Sequence, residues 1–161
     1  MEQNRDMFYM QRALQLAREA LADTEVPVGA LVVDPYGQVL GEGRNRVEAY
    51  NSQSEHAEVI AIRAVGEQLK NWRLQGCTLY VTLEPCMMCI SLAALSRIER
   101  VVYGAHSPRY GFSLDREGVL RLYTRQIKSL VSGVGEPEAA LLLESSFIQA
   151  RKKNDDKSGQ G

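Results

Sequence analysis

The sequence has 161 residues, of which 45% are hydrophobic and 24% charged, and its formal net charge is -1. This length suits one domain, this composition excludes wholesale disorder, and the small charge gives no global attraction to a polyanion. No apolar run approaches the ~20 residues that a membrane span requires, and the amino terminus lacks the apolar segment of a signal peptide. We therefore expect a cytoplasmic protein that contacts no membrane.

Helical and strand patterns alternate in the first half of the chain. Apolar residues three or four positions apart predict a packed helix over residues 6–21. Two apolar runs at 30–33 and 39–43, separated by a turn signal, predict a strand hairpin. A polar loop over 45–55 then precedes an almost wholly apolar helix that begins at His56.

The second half continues this alternation. A β-rich run at 78–83 is followed by an apolar helix over 86–95 and a short strand over 100–103. A further strand over 126–131 and a closing helix over 138–153 complete the series. Two strand-helix-strand units with nearly continuous apolar strands predict an α/β fold whose mixed or parallel sheet is covered by helices on both faces.

No repeat, linker or low-complexity block divides the chain, so we expect a single domain over residues 1–153. The polar tail, residues 154–161, is predicted to be disordered. Three cysteines are too few for a disulfide framework, which favours a metal site or a reactive thiol.

Cys86 and Cys89 form a C-x-x-C motif directly after Pro85. Positions three apart share one face of a helix, so both sulfurs can reach one ion, and proline suits a helix start, whose dipole favours thiolates. Taken alone, the motif is equally compatible with two small core residues or a redox pair.

His56 and Glu58 are two positions apart, which in the middle of a helix would turn them roughly 200° away from each other. They can serve one site only at a helix amino terminus. The pattern places them there, because the polar loop ends at Glu55 and the apolar helix follows Glu58. A lone histidine is more often a core or surface residue, but a second helix start with C-x-x-C favours a ligand.

One imidazole and two thiolates fit zinc and leave the fourth tetrahedral position open, which indicates a catalytic rather than a structural zinc site. The spare candidates, Cys77 and His106, lack ligand-like spacing, and we interpret them as a strand-edge and a loop residue. Such an ion lowers the pKa of a water toward ~7. Glu58 is the carboxylate available to take and pass on its proton.

The combination of H-x-E with P-C-x-x-C is the signature of the zinc nucleobase deaminases. The sequence resembles the bacterial tRNA-specific adenosine deaminases of the cytidine/deoxycytidylate deaminase superfamily over nearly its whole length. The strongest stretches are residues 25–30, 41–46, 56–58, 78–89 and 96–105. The resemblance implies a cytidine-deaminase-like three-layer α/β/α sandwich with a central mixed, largely five-stranded sheet, one Zn²⁺ per subunit, and a homodimer.

The resemblance also implies a reaction: hydrolytic attack at C6 of a flipped-out wobble adenine in a tRNA anticodon stem-loop. Glu58 would protonate the ring nitrogen N1 and later the departing ammonia. By the same match Asn45 would hydrogen-bond the base, and Val28, Ala57 and Pro85 would line the pocket. The alternative for Asn45 is a turn-capping side chain.

Three residues are candidates for RNA contact. The resemblance matches Arg109 to a basic loop position that approaches the RNA backbone, and Phe147 lies in a region that contacts the tRNA in the family. Lys152 belongs to a basic cluster at 151–153 that could neutralise phosphates. The alternative for Arg109 is an exposed, solvated side chain, and for the basic cluster at 151–153 it is a solvated helix end.

The chain departs from the family pattern in three places. It has Ser-Gln-Ser-Glu at 52–55 in place of Asp-Pro-Thr-Ala, Ser107 where aspartate is common, and Ser-Ser at 145–146 in place of a phenylalanine pair. These regions contact the tRNA in the family, so the departures concern the substrate rather than the chemistry. Altered RNA recognition and simple lineage drift are the two explanations that stay open.

Two other functions stay open. A deaminase of a free nucleobase or nucleoside, of guanine or cytosine type, would use the same metal and Glu58, and the small net charge favours it. A non-catalytic, zinc-stabilised RNA-binding module would also hold the metal, although a structural site has no use for Glu58.

Overall fold

The structure is a computed structural model that describes residues 1–158, without the side chains of residues 122, 123 and 153–158. Its elements are α1 (Glu2–Ala22), β1 (Gly29–Val33), β2 (Val39–Arg44), α2 (Val47–Tyr50), α3 (Ala57–Leu69), β3 (Thr78–Leu83), α4 (Met87–Leu95), β4 (Arg100–Ala105), α5 (Val119–Tyr123), β5 (Ser129–Val131) and α6 (Glu136–Ser158).

The five strands form one mixed sheet in the order β2-β1-β3-β4-β5. Strand β1 is antiparallel to both β2 and β3, whereas β3, β4 and β5 run parallel. The parallel strands are joined by helical connections, as parallel pairs require. The carboxyl end of β3 therefore leads directly into α4.

Helices cover both faces of the sheet. In β1, Ala30 and Val32 belong to the core that includes residues of α3 and α4, whereas Leu31 and Val33 belong to the core that includes residues of α1 and α6. This alternation is the two-residue period of a strand buried on both faces. The predicted three-layer α/β/α sandwich with a five-stranded mixed sheet is confirmed.

Some element boundaries differ from those that the sequence predicts. The polar loop over 45–55 contains the short helix α2, and β4 continues beyond residue 103 to Ala105. Strand β5 is shorter than predicted because residues 124–127 form a turn, in which Ile127 N–H donates to the Thr124 carbonyl.

The carboxyl-terminal helix also differs from the prediction. Residues 154–158, which we expected in a disordered tail, continue α6. Extending an existing helix adds one hydrogen bond per residue, and no glycine or proline interrupts residues 138–158. The last residues of the predicted tail, 159–161, lie outside the described residues.

Within residues 1–158, no helix combines the length and apolarity that a membrane crossing demands. Cys77, Cys86 and Cys89 are all free thiols.

Candidate metal and catalytic site

Two helix starts bring the three predicted ligands together. His56 is the N-cap of α3, Cys86 is the N-cap of α4, and Cys89 lies in the first turn of α4. His56 Nδ1 is 3.7 Å from Cys86 Sγ and 3.5 Å from Cys89 Sγ. The three ligand atoms all lie within 4.8 Å of one another. The spacing argument that placed His56 at a helix cap is confirmed.

The start of α3 is held in place by its neighbours. The Arg46 N–H donates to the carbonyl of Glu55, the residue before His56, at 3.0 Å. At Gly43, in β2, an added Cβ would lie 2.2 Å from the Ala57 carbonyl oxygen. Glycine is therefore required for β2 to approach the first turn of α3.

The donor set fits a zinc ion. The Cys89 and His56 side chains hydrogen-bond to the Cys86 sulfur, and these bonds outweigh the effect of burial and lower the pKa of Cys86 to about 4. A divalent cation would replace the shared protons, because metal ligands bind in their deprotonated forms. One nitrogen and two sulfur ligands are typical of zinc and leave one tetrahedral position for a reactant. In the part of the chain that the structure describes, Cys77 and His106 stand outside this cluster.

Glu58 lies beside this cluster and is almost completely buried, with 4% of its surface exposed. Burial, which penalises the charged form, raises the pKa of Glu58 to about 7. A carboxyl group with such a pKa can both take up and release a proton near neutral pH.

The predicted pocket residues are buried, and Val28 lies in the same core cluster as Ala57, the residue after His56. Asn45 is buried, and its backbone N–H donates to the Val28 carbonyl at 3.0 Å. Ala57 lies between His56 and Glu58 and is fully buried, and Pro85 is buried directly before Cys86. The Asn45 side chain also contacts Glu25, a residue for which the sequence predicted no role.

The predicted RNA-contacting residues are distributed differently. Arg109 is exposed in the loop over residues 106–111, and this loop reaches the ligand cluster because Gly111 forms a β-bridge with Cys86. Phe147 and Lys152 are exposed on α6, roughly 16 and 24 Å along the helix from its first residue at 1.5 Å per residue. That helix packs on β3, β4 and α1.

Sequence reasoning missed two buried carboxylates, Glu25 and Glu84, each with 3% of its surface exposed. Glu84 accepts hydrogen bonds from the backbone N–H groups of Ser107 at 3.0 Å and Ser113 at 2.9 Å, and its Oε2 lies 3.3 Å from His106 Nδ1. A charged residue at the end of an apolar strand, next to Pro85, was the available signal.

Comparison with known proteins identifies the family. Residues 3–105, which contain His56, Glu58, Cys86 and Cys89, match the family described as the cytidine and deoxycytidylate deaminase zinc-binding region. The chain belongs to this family. As a cytidine and deoxycytidylate deaminase family member it is a zinc-dependent deaminase, which confirms the predicted enzyme class and cofactor.

Individual relatives indicate which members of the family this chain is similar to. The tRNA-specific adenosine deaminase of Bacillus subtilis (strain 168) is 39% identical over 150 residues, covering 92% of each chain. A tRNA(Ile)-lysidine synthase of Deinococcus deserti is 42% identical over 144 residues, covering 89% of this chain and 27% of that protein. This chain thus spans about a quarter of the length of the Deinococcus relative.

A solved structure agrees with these relatives. It comes from biochemical and structural studies of A-to-I editing by tRNA:A34 deaminases at the wobble position of transfer RNA. It is 38% identical, with a TM-score of 0.74, and the match covers 84% of this chain and 99% of that chain. The predicted resemblance to the tRNA-specific adenosine deaminases is therefore confirmed within this deaminase family.

Proposed function

We propose that this chain deaminates adenosine to inosine at the wobble position of a tRNA anticodon. One observation carries the proposal: the His56, Cys86 and Cys89 cluster, with Glu58 beside it, lies in a chain that matches a tRNA-specific adenosine deaminase over 92% of both lengths. A site of this composition alone would suit any base deaminase. The match outside the motifs is what favours tRNA.

Glu58 moves the protons in the proposed reaction. His56, Cys86 and Cys89 would hold the zinc ion, which would supply an activated water for attack at C6. With a pKa of about 7, Glu58 would accept one proton from the attacking water and pass it to N1 of the ring. It would then take the proton of the new C6 hydroxyl and deliver it to the exocyclic amine, which leaves as ammonia while the C6 carbonyl of inosine forms. Because Glu58 is almost completely buried, a bound base would complete a site from which bulk water is excluded.

The neighbouring residues orient the substrate. Asn45 hydrogen-bonds the flipped-out base, while Val28, Ala57 and Pro85 line its pocket. Arg109, in the loop that is bridged to Cys86, contacts the RNA backbone. Phe147 and Lys152 on α6 would contact RNA farther from the reacting base. A tRNA substrate also places the enzyme in the cytoplasm.

The reaction is tested by incubating the protein with an anticodon stem-loop that contains a wobble adenosine, and analysing the nucleosides for inosine. Parallel reactions use free guanine, cytosine and adenosine. We expect inosine in the stem-loop and no turnover of guanine, cytosine or free adenosine. Turnover of guanine or cytosine without inosine would instead support a free-base deaminase, and an absence of turnover on every substrate would support the non-catalytic module.

A homodimer is the proposed assembly. Met88 and Leu95 are seven positions apart on α4 and therefore share one helix face, on which both expose their apolar side chains. The side chain of the neighbouring Met87 is exposed too. Exposed apolar side chains beside a functional site are typical of a protein interface. Light scattering should give twice the monomer mass for the wild type and a smaller mass for Leu95→Glu. A monomeric wild type at all concentrations would contradict the dimer.

A further inference from the structure

Glu25 is a buried carboxylate that the proposed chemistry does not use. Its Oε1 accepts a hydrogen bond from the Ala49 backbone N–H at 2.8 Å, and its Oε2 accepts from the Glu48 N–H at 3.1 Å. The same Oε2 lies 3.4 Å from Asn45 Nδ2. One side chain thus holds both a short helix and the amide of Asn45.

We propose that Glu25 is a positioning residue that fixes the orientation of the Asn45 side chain and thereby contributes to base specificity. The inference rests on the proposed function, in which Asn45 contacts the base. A carboxylate can only accept hydrogen bonds, so Asn45 must turn its NH₂ group toward Glu25. The position of the amide oxygen of Asn45 is then fixed as well. Because an asparagine amide has a donor and an acceptor side, this orientation decides which atoms of a base it can pair with.

The surroundings of Asn45 support this role. Its backbone N–H bonds to the Val28 carbonyl, and the next residue, Arg46, bonds to the Glu55 carbonyl directly before the ligand His56. The backbone of Asn45 is therefore bonded to Val28 and that of Arg46 to Glu55, while the Asn45 side chain is bonded to Glu25. A loss of the Glu25 contact would free the amide without removing these backbone bonds.

Glu25 also takes the place of a local helix cap. Arg46, the N-cap of α2, makes no side-chain capping hydrogen bond. The N–H groups at the start of α2 bond instead to Glu25, which lies 23 and 24 positions earlier in the chain. A purely structural role in holding α2 is therefore the alternative that an experiment must separate from positioning of Asn45.

A double-mutant cycle separates these roles. The variants are Glu25→Gln, Asn45→Ala and the pair together, and kcat and KM are measured with the wobble-adenosine stem-loop. Glu25→Gln keeps the shape, but its single oxygen cannot accept from Ala49, Glu48 and Asn45 at the two positions that the carboxylate oxygens fill. The three bonds can no longer all form, so kcat/KM should fall by on the order of 10²-fold, as misplaced substrate contacts do. In the Asn45→Ala background the same change should cost less than about threefold, because the residue it acts through is gone.

Asp6→Asn serves as the matched control. Asp6 is a carboxylate with 2% of its surface exposed, held by Arg100 and Tyr80 at the opposite end of the sheet. This variant should lower the thermal midpoint while kcat/KM stays within about twofold of the wild type.

Two results would overturn the positioning role. Equal losses from Glu25→Gln in the two backgrounds would assign Glu25 to folding alone, and unchanged kcat/KM in the single variant would remove any role. If the wild type makes no inosine but deaminates a free base, the proposed function fails. The same cycle on that base then tests Glu25 separately.

Discussion

Glu58 and Glu84 are two buried glutamates near the metal ligands, and their pKa values move in opposite directions. Burial raises the pKa of Glu58 to about 7. Burial would raise that of Glu84 too, but hydrogen bonds from Ser113, Ser107 and His106 outweigh it and hold the pKa below its ordinary value of 4.5. Burial alone therefore does not decide the state of a carboxyl group. The donors around it do.

This difference in pKa distinguishes a glutamate suited to proton transfer from one that holds the structure. A glutamate surrounded by donors stays ionised and anchors the backbone, as Glu84 does for the loop over residues 106–113. A glutamate whose pKa lies near neutral can exchange protons with a substrate. The following predictions test this division.

The largest effect is expected at Glu58. Glu58→Ala should lower kcat by at least ~10²–10⁴-fold, the usual contribution of a general acid-base group. It should still hold one zinc per chain, because Glu58 is not a ligand. Cys86→Ala, in contrast, should lose both zinc and activity. Metal analysis and turnover measured on the same samples check this, and equal zinc loss in the two variants would contradict the assigned roles.

A smaller effect, on stability, is expected at Glu84. Glu84→Gln replaces one acceptor oxygen by an amide that faces a backbone donor, and each buried donor left without a partner costs about 1–3 kcal/mol. The free energy of unfolding should fall by that amount, with zinc content unchanged. Denaturant titration of wild type and variant gives the difference. A stability equal to that of the wild type would show that the loop over residues 106–113 does not depend on this carboxylate.

The smallest effect is the pH dependence of that difference. Because the pKa of Glu84 is lowered in the folded protein, its contribution is fully present above the ordinary value of 4.5 and is lost as the pH falls through the folded value. The stability gap between wild type and Glu84→Gln should therefore be constant near neutrality and shrink in acid. A gap that persists unchanged at about pH 3 would mean that the charge of Glu84 is not what holds the loop.

Local patterns in the sequence were sufficient for most of the fold and for the metal cluster. The two-residue and helical periods located β1, β3 and α4, and the spacing of Cys86 and Cys89 required only one turn of helix. The cap position of His56 followed from where the polar loop ends. These features depend on neighbours within a few residues, which a single sequence displays.

The hydrogen bonds by which Glu25 and Glu84 hold the backbone beside the site could not be predicted in this way. Glu25 bonds to residues 20 to 24 positions away, and Glu84 bonds to backbone N–H groups 23 and 29 positions away. Nothing near Glu48 indicates that its N–H has a distant acceptor, so the short helix α2 was interpreted as loop. Such contacts become visible only when the sheet has brought distant segments together.

The ligands come from two separate helices, and His56 and Cys86 lie 30 positions apart. Coordination therefore closes a chain segment of about that length, which removes conformational freedom from the unfolded protein. A zinc ion held by these ligands would therefore also act as a cross-link between the starts of α3 and α4. Catalytic competence and resistance to unfolding are thus linked through one metal, and a chelator would weaken both.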